Sequence, residues 1–469
     1  MIKFLIPLFI FCAASALFAQ NRIGTGAAKE LYEMHCASCH GQDLRGGLGN
    51  SLIEGNYKYV GKEISFIEYV KKGNLDMGMP GYEELLNDAE LRSLEVYIAE
   101  ERQLAAGSRE VEQTIEGAYK AGGYEYSVDV VTDDLDEPWS MAFLPDGSYL
   151  ITEKNGALLH SQGDQISEVT GTPEVWLKGQ GGLLEVAAHP DYAENGWIYL
   201  SYASSSGQLD GKDVGLTTVV RGRINEGVWS DEEVLYEVPL DLQLAAGVHF
   251  GSRFVFDHGY LYFGIGDRGA MSMAQDLSKP NGKIHRIHDD GRVPKDNPFV
   301  NNADALPTIW SYGHRNPQGL DLNPETGEIW ESEHGPRGGD EINLIEQGRN
   351  FGWPVITYGM NYNGKPISGR TSAEGMEQPK HYWTPSIAVC GIDFYEGDLF
   401  KRWKGNLLVG GLASQELHRL VIDNNEVVEA EIILKGLGRV RDVASGPDGA
   451  IYVVLNGPGR IVSLSPSAQ

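Results

Sequence analysis

Near the N-terminus two thiols and an imidazole fall within five residues, Cys36-Ala37-Ser38-Cys39-His40. Cysteines one helical turn apart are placed to bond the two vinyl groups of one haem, and the adjoining His40 then reaches the iron from the same side. C-x-x-C-H is therefore the pattern of covalent c-type haem attachment. The competing reading is a redox or structural C-x-x-C beside an incidental histidine. A sixth iron ligand would be a thioether, and the run LDMGMPGY supplies both Met77 and Met79. Methionines also fill cores and loops, so the pair stays open at this point.

A second set of reactive side chains is spread along the chain. The stretch 311–343, SYGHRNPQGLDLNPETGEIWESEHGPRGGDEIN, gathers Arg315, Asn316, N-P and G-P turns and several acidic residues around one short strand pattern at 328–332. That is more polar convergence than a plain connection needs, and it suits an anionic, oxygen-rich ligand. Elsewhere Gly179-Gln180-Gly181-Gly182 precedes LLEVAAHP, His249 sits in GVHFGSR and Asp267 ends FGIGD. Gly335 and Pro336 follow ESEH, and Arg439, Arg441 and Asp442 make up GRVRDV. Singly each has a dull explanation. A lone His249 is an ordinary surface or core histidine, and Arg439 with Arg441 is an alternating strand face paired to Asp442.

The elements that must position these groups follow from periodicity. Residues 28–35 read as a helix leading into C-x-x-C-H, and Gly41 opens a glycine-rich loop with Gly46, Gly47 and Gly49. Asp88 caps the segment AELRSLEVYI, whose Leu91, Leu94 and Ile98 share one helical face. These predict a small all-α module at 21–102, and loss of periodicity predicts a linker at 103–124. Beyond Tyr126 a glycine turn recurs just before an apolar, strand-like run: Gly147, Gly196, Gly259, Gly327, Gly405 and Gly449. Six such units predict an all-β six-bladed propeller at 125–469, each blade marked by its inner hairpin. A sandwich with long loops is the competitor. A propeller gathers polar residues where loops converge at one mouth of its channel, so they are expected directly after those runs.

Composition agrees. At 469 residues the chain exceeds one ordinary core, and 59 Gly with 9 Trp and 22 Tyr at strand-and-turn spacing favour a β body. A net charge of −28 excludes nucleic acid as a partner. Residues 1–20, MIKFLIPLFIFCAASALFAQ, have the basic start, short apolar run and small residues of a secretory signal peptide, with no stop-transfer charges after them. The expectation is a periplasmic or secreted protein that does not span the membrane after cleavage. Cys12 would leave with that segment. The remaining Cys36, Cys39 and Cys390 do not describe a disulfide framework, and Cys390 reads as a small buried apolar residue.

GHRNPQG and E-x-G-P…DEIN, with the clusters in matching order from about Pro138 to Leu464, resemble the soluble pyrroloquinoline quinone (PQQ)-dependent aldose sugar dehydrogenases of the glucose/sorbosone type. The N-terminal module is similar to a class I cytochrome c, in which a Met-Pro pair holds the ligand loop, so the resemblance prefers Met79 over Met77. It implies PQQ, Ca²⁺ and covalently bound haem c as cofactors. Gln180, Arg315, Asn316, Arg439 and Arg441 would hold the quinone, and His249, oriented by Asp267, would be the general base. Backbone carbonyls of Gly335 and Pro336 would hold one calcium, and Glu341 with carbonyls around Phe351 a second. The implied activity is oxidation of an aldose at C1 to its lactone, with electrons passed to the tethered haem and on to a periplasmic cytochrome or oxidase. A sorbosone-like aldehyde is the same-class alternative. The sequence departs from the family at Ala413, where a lysine contacting the quinone is usual. That departure supports a different reading, a propeller without PQQ that binds carbohydrate or a partner beside an independent cytochrome.

Overall fold

A computed structural model describes residues 26–54, 64–106, 115, 117–163 and 165–467. The expected signal peptide at 1–20 lies outside the described residues. Six antiparallel sheets make up the body, five of four strands and one of five. Each is a meander running outward from a central channel, so the chain beyond residue 118 is a six-bladed propeller with blades at 138–169, 183–236, 254–312, 317–383, 389–435 and 439–466. All six glycine turns fall where expected, between the first and second strands of a blade. Gly147, for example, joins Pro138–Phe143 to Tyr149–Glu153 with φ 84°, a left-handed conformation that a side chain resists. The second strands are largely buried, along their whole length in Tyr149–Glu153, Ile329–Glu333 and Leu407–Gly411, because neighbouring blades cover both faces. This explains why they read as continuous apolar runs rather than alternating ones.

The ring closes by pairing its two ends. Tyr124–Thr132 ladders onto the C-terminal Arg460–Pro466, with Val128 opposite Leu464, so the last blade contains strands from both ends of the propeller sequence. Closure removes the open edges that a row of sheets would otherwise expose. Tyr119–Ala121 adds an outer strand to the same blade, inside the stretch expected to be linker. Five of the six inner hairpins carry a register shift where the inner strand begins, as at Pro317/Gly319 and Val440/Asp442. A bulge leaves one residue unpaired and re-aims its neighbours. Repeated around the ring, it turns side chains from separate blades into one end of the channel.

Ahead of the propeller lie α1 (Gly26–His35), α2 (Ala37–His40), α3 (Phe66–Lys72) and α4 (Asp88–Ala106). Leu91, Leu94 and Ile98 are buried as predicted, and Tyr97 meets Tyr32 of α1 with ring centroids 5.8 Å apart. Two details differ from expectation. Asn87, not Asp88, caps α4: its side chain accepts from Glu90 N at 3.0 Å while Glu90 answers to Asn87 N at 2.9 Å, a capping box that takes in the residue before Asp88. The helix also runs past Arg102 to Ala106, four residues beyond the expected end of the module. Among the described residues no helix is long and apolar enough to cross a membrane.

Candidate active site

At the bulged end of the channel a cavity of about 230 Å³ is lined by Gln180, Asn316, Arg439 and Arg441, four of the residues singled out in the sequence, and by Lys154 and His334. Beneath it Arg253 organises the floor. Its Nη1 lies 2.6 Å from Glu185 and 3.0 Å from Asp442, its Nη2 donates to the Arg441 carbonyl at 2.8 Å, and its guanidinium stacks 4.2 Å from the Trp139 ring. Asp442 is thus the partner of Arg253 and not of Arg439 or Arg441, contrary to the strand-face reading. Among the described residues neither Arg439 nor Arg441 forms an ion pair. Arg441 Nε and His334 Nε2 are buried without hydrogen-bond partners. An orphaned buried donor is costly, so Arg441 Nε marks the cavity as a place for an acceptor. The wall is also close-set: a Cβ on Gly179, at φ 60°, would stand 2.2 Å from the Gly247 carbonyl.

His249 adjoins this cavity. Its backbone N donates to the side chain of Gln180 at 2.7 Å, and its Nδ1 is 2.6 Å from Asp267 Oδ1. Asp267 is fully engaged, its Oδ2 accepting from Trp353 Nε1 at 2.8 Å and its Oδ1 from Gly269 N at 2.7 Å. With Nδ1–H given to the carboxylate, Nε2 keeps its lone pair. Burial holds the His249 pKa below the usual histidine value, against the pull of Asp267 and with help from the Arg315 charge. Burial pushes the Asp267 carboxyl up, but the His249 bond, the Arg315 charge and the Gly269 N–H together leave it below its ordinary value. Arg315 is buried between aromatic neighbours, its Nη1 donating to the His334 carbonyl at 2.9 Å and its Nη2 to the Tyr362 hydroxyl at 3.4 Å.

One residue before His334 the polarity reverses. Glu333, Glu331 and His314 are buried with their ligand atoms within 4.8 Å of one another. Nδ1 of His314 is 3.6 Å from Glu333 and 3.9 Å from Glu331, too far for hydrogen bonds, and His314 Nδ1, Glu331 Oε1 and Asn343 Oδ1 have no partner. Glu341 stands opposite Glu333 in the strand ladder. Burial raises the Glu331 and Glu341 pKa values well above normal, and the neighbouring Glu333 charge adds to both. Such a group of oxygens and one nitrogen is suited to a divalent cation. The expected carbonyl pair lies beside it. Gly335 N donates to Asp340 at 2.9 Å, and the Pro336 carbonyl accepts from Ser386 at 3.4 Å.

In the helical module, His40 Nδ1 lies 2.7 Å from the Asn50 carbonyl, which takes the Nδ1 proton and leaves Nε2 for a metal. A Cβ on Gly49 would stand 2.9 Å from that ring, so the glycine-rich loop is needed to let it sit there. Met79 packs on the module's core, whereas Met77 is 56% exposed.

Several participants were missed in the sequence. Lys154 follows the run SYLITE directly, the position where polar residues were to be sought, and it lines the cavity with its Nζ 2.9 Å from Glu137. Arg253 stands three residues after Phe250 in the same GVHFGSR run as His249 and carried no signal of its own. Cys390 is buried as expected, but its sulfur is 3.5 Å from Arg441 Nη1, in the floor of the site. Ala413 only pairs its N–H with the Ile387 carbonyl at 2.8 Å.

The family model described as Glucose / Sorbosone dehydrogenase matches residues 135–463, and that of Cytochrome C oxidase, cbb3-type, subunit III matches 25–98. Aldose sugar dehydrogenase YliI of Escherichia coli is 42% identical over 352 residues, covering 72% of this chain and 93% of that protein. The crystal structure of the soluble aldose sugar dehydrogenase from E. coli in the apo-form has TM-score 0.68 at 40% identity, over 73% of this chain and all of that one. The PQQ-bound form of aldose sugar dehydrogenase from Streptomyces coelicolor has TM-score 0.60 at 26% identity, over 74% of this chain and 100% of that one.

Proposed function

Since the chain belongs to the glucose/sorbosone dehydrogenase family and carries a cytochrome c domain ahead of its propeller, we propose that it oxidises aldose sugars at C1 with PQQ and Ca²⁺ in the propeller and haem c in the N-terminal domain. The domains would divide near residues 106 and 119, a few residues from the expected 103–124, after a signal peptide at 1–20 that sends the protein to the periplasm. The observation that carries this reading is the cavity's charge. Three cations, Lys154, Arg439 and Arg441, line it, and PQQ has three carboxylates. Lys154, paired with Glu137 of the same wall, brings a cation to the cavity from the first blade where Ala413 brings none from the fifth, which weakens the main ground for a propeller without a quinone. Gln180 and Asn316 would complete the polar wall, and each charge-assisted contact is worth about 1.5–3 kcal/mol.

When bound, the quinone supplies the hydride acceptor. The chain's own residues do the rest. His249 Nε2 takes the proton of the C1 hydroxyl, and Asp267 holds the ring in the required tautomer and stabilises the imidazolium that forms. Arg315 presents a guanidinium where negative charge develops. Gly335 and Pro336 offer calcium their carbonyls, and the Glu341 position for a second calcium takes in Glu331, Glu333, Asn343 and His314. In the N-terminal domain Cys36 and Cys39 would bond the haem, with His40 and Met79 on its iron. Electrons would leave to a periplasmic cytochrome or oxidase.

The test is to load the purified protein with PQQ and Ca²⁺, supply a panel of aldoses and sorbosone-like aldehydes, and follow the reduced c-haem band. Sugar-dependent haem reduction is expected. Reduction of neither the haem nor an added dye by any of them, with PQQ bound, would reject the sugar reading, and dye reduction without haem reduction would reject the relay.

A further inference from the structure

The C-terminal helix of the haem domain is seated on the propeller beside the cavity. Arg337, which directly follows Pro336, donates from Nε to Glu100 of α4 at 2.7 Å and from Nη2 to the other oxygen of the same carboxylate. This fork is partly buried, at 16% and 19% side-chain exposure, so it is shielded from water and salt more than a surface pair is. The Arg337 backbone exchanges two 2.9 Å hydrogen bonds with Met360, and Met360, fully buried, is part of the haem domain's own core. Gly338 faces Val96 so closely that a Cβ there would come within 3.1 Å of its methyl, and Arg92 lies 5.7 Å over the ring of Tyr358. Two residues beyond Met360, Tyr362 receives the Arg315 hydrogen bond at the active site. One short segment therefore touches the haem-domain core at one end and a catalytic guanidinium at the other.

Domains joined by a linker move relative to one another unless their contact is large and apolar. Met360 in the other domain's core makes this contact apolar at its centre, and the Arg337–Glu100 fork fixes its rim. We propose that α4 and the loops at 336–340 and 358–360 form a fixed docking surface, locked by Glu100 and Arg337, so that the haem domain is permanently seated on the segment that reaches Arg315 and is not a freely tethered carrier. This rests on the sugar-dehydrogenase reading for its purpose but not for its existence. Each sugar oxidised releases two electrons and two protons. Haem held by Cys36, Cys39, His40 and Met79 would take the electrons one at a time, with two equivalents of an added one-electron oxidant such as ferricyanide consumed per sugar and the protons going to water.

The experiment uses the full chain loaded with haem, PQQ and Ca²⁺, as wild type, Glu100→Arg, the conservative Glu100→Gln, and the swap Glu100→Arg/Arg337→Glu. Small-angle scattering reads docking, and stopped-flow absorbance reads haem reduction after sugar addition. Dye-linked sugar oxidation, which bypasses the haem, reads the propeller alone. Expected is a compact wild type, an expanded Glu100→Arg with haem reduction slowed roughly tenfold or more, the scale on which a desolvated charge pair controls an interface, and unchanged dye reduction. Glu100→Gln should fall between, and the swap should restore compactness. A Glu100→Arg protein that stays compact and reduces its haem at the wild-type rate, with a native haem spectrum, overturns the proposal. Absence of dye reduction in the wild type would sink the sugar reading while leaving the scattering result to judge the docking.

Discussion

Two polar clusters of opposite sign meet at the Glu333–His334 peptide, a cationic one open to solvent and an acidic one that is buried. On one side Lys154, Arg439 and Arg441 line a cavity with donors left over; on the other Glu331, Glu333 and His314 close on a gap with acceptors left over. Arg253, by comparison, is answered within the chain by Glu185 and Asp442. The contrast teaches where charge is one-sided: the buried Lys283 and Arg268 spend their donors on backbone carbonyls, whereas the two clusters leave groups of one sign facing one gap. Charge of one sign gathered in an enclosed site favours a ligand of the other, an anion in one case and a cation in the other.

The sharpest way to break this comparison is at the base that serves the cationic side. His249→Ala should lower sugar-driven turnover by about 10²–10⁴-fold, the range of general-base catalysis, and leave the haem spectrum unchanged. Steady-state assays with the c-haem band as control check both parts. Next in size, Arg441→Met removes a buried donor that has no internal partner, and PQQ affinity should fall by about 10–100-fold, corresponding to about 1.5–3 kcal/mol. Lys154→Met should cost less, because its side chain is 26% exposed and already paired with Glu137. Equilibrium titration of both variants orders them, and an equal or larger loss at Lys154 would mean the ranking by burial is mistaken.

On the anionic side, chelation should lower the thermal midpoint of the wild type by a few degrees, since a cation bound only to the folded state stabilises it by mass action. Glu331→Gln should shrink the difference between calcium-loaded and chelated protein in a calorimetric scan. The smallest effect is in pH. Burial lowers the His249 pKa, so the neutral, competent form persists below the usual histidine range. Turnover should therefore stay level as pH falls through about 6.5 and decline only at more acid values. A decline centred at or above the ordinary value would show that His249 is not held in the environment described.

The propeller was legible because each blade repeats one local signal, a glycine turn before an apolar run, six times over. The site was legible only in part from that repeat: Asp267 ends such a run, whereas Gln180, His249, Arg315 and Asn316 lie just ahead of the first strand of a blade and Arg439 and Arg441 on one, and these were found by their motifs and not after the runs where they were expected. Bulges were not legible, since a register shift belongs to the pairing of two strands, and without them Asp442 was assigned to the wrong arginine. Lys154 went unremarked because a lysine after a strand looks like any solvated charge until the fold turns it inward. Cys390 read as plain core for want of its neighbour Arg441, 51 residues away. The packing of α4 against Arg337 and Met360 was not legible either, because those residues lie more than 200 positions further along the sequence.

The central claim is that the cationic cavity takes a planar tricarboxylate. Trp139 lines that cavity, so quenching of tryptophan fluorescence on titrating the calcium-loaded protein with PQQ measures occupancy directly. The account predicts saturation at one equivalent, weakened stepwise by Lys154→Met, Arg439→Met and Arg441→Met. Binding that does not saturate, or that survives the loss of both arginines unchanged, would contradict it.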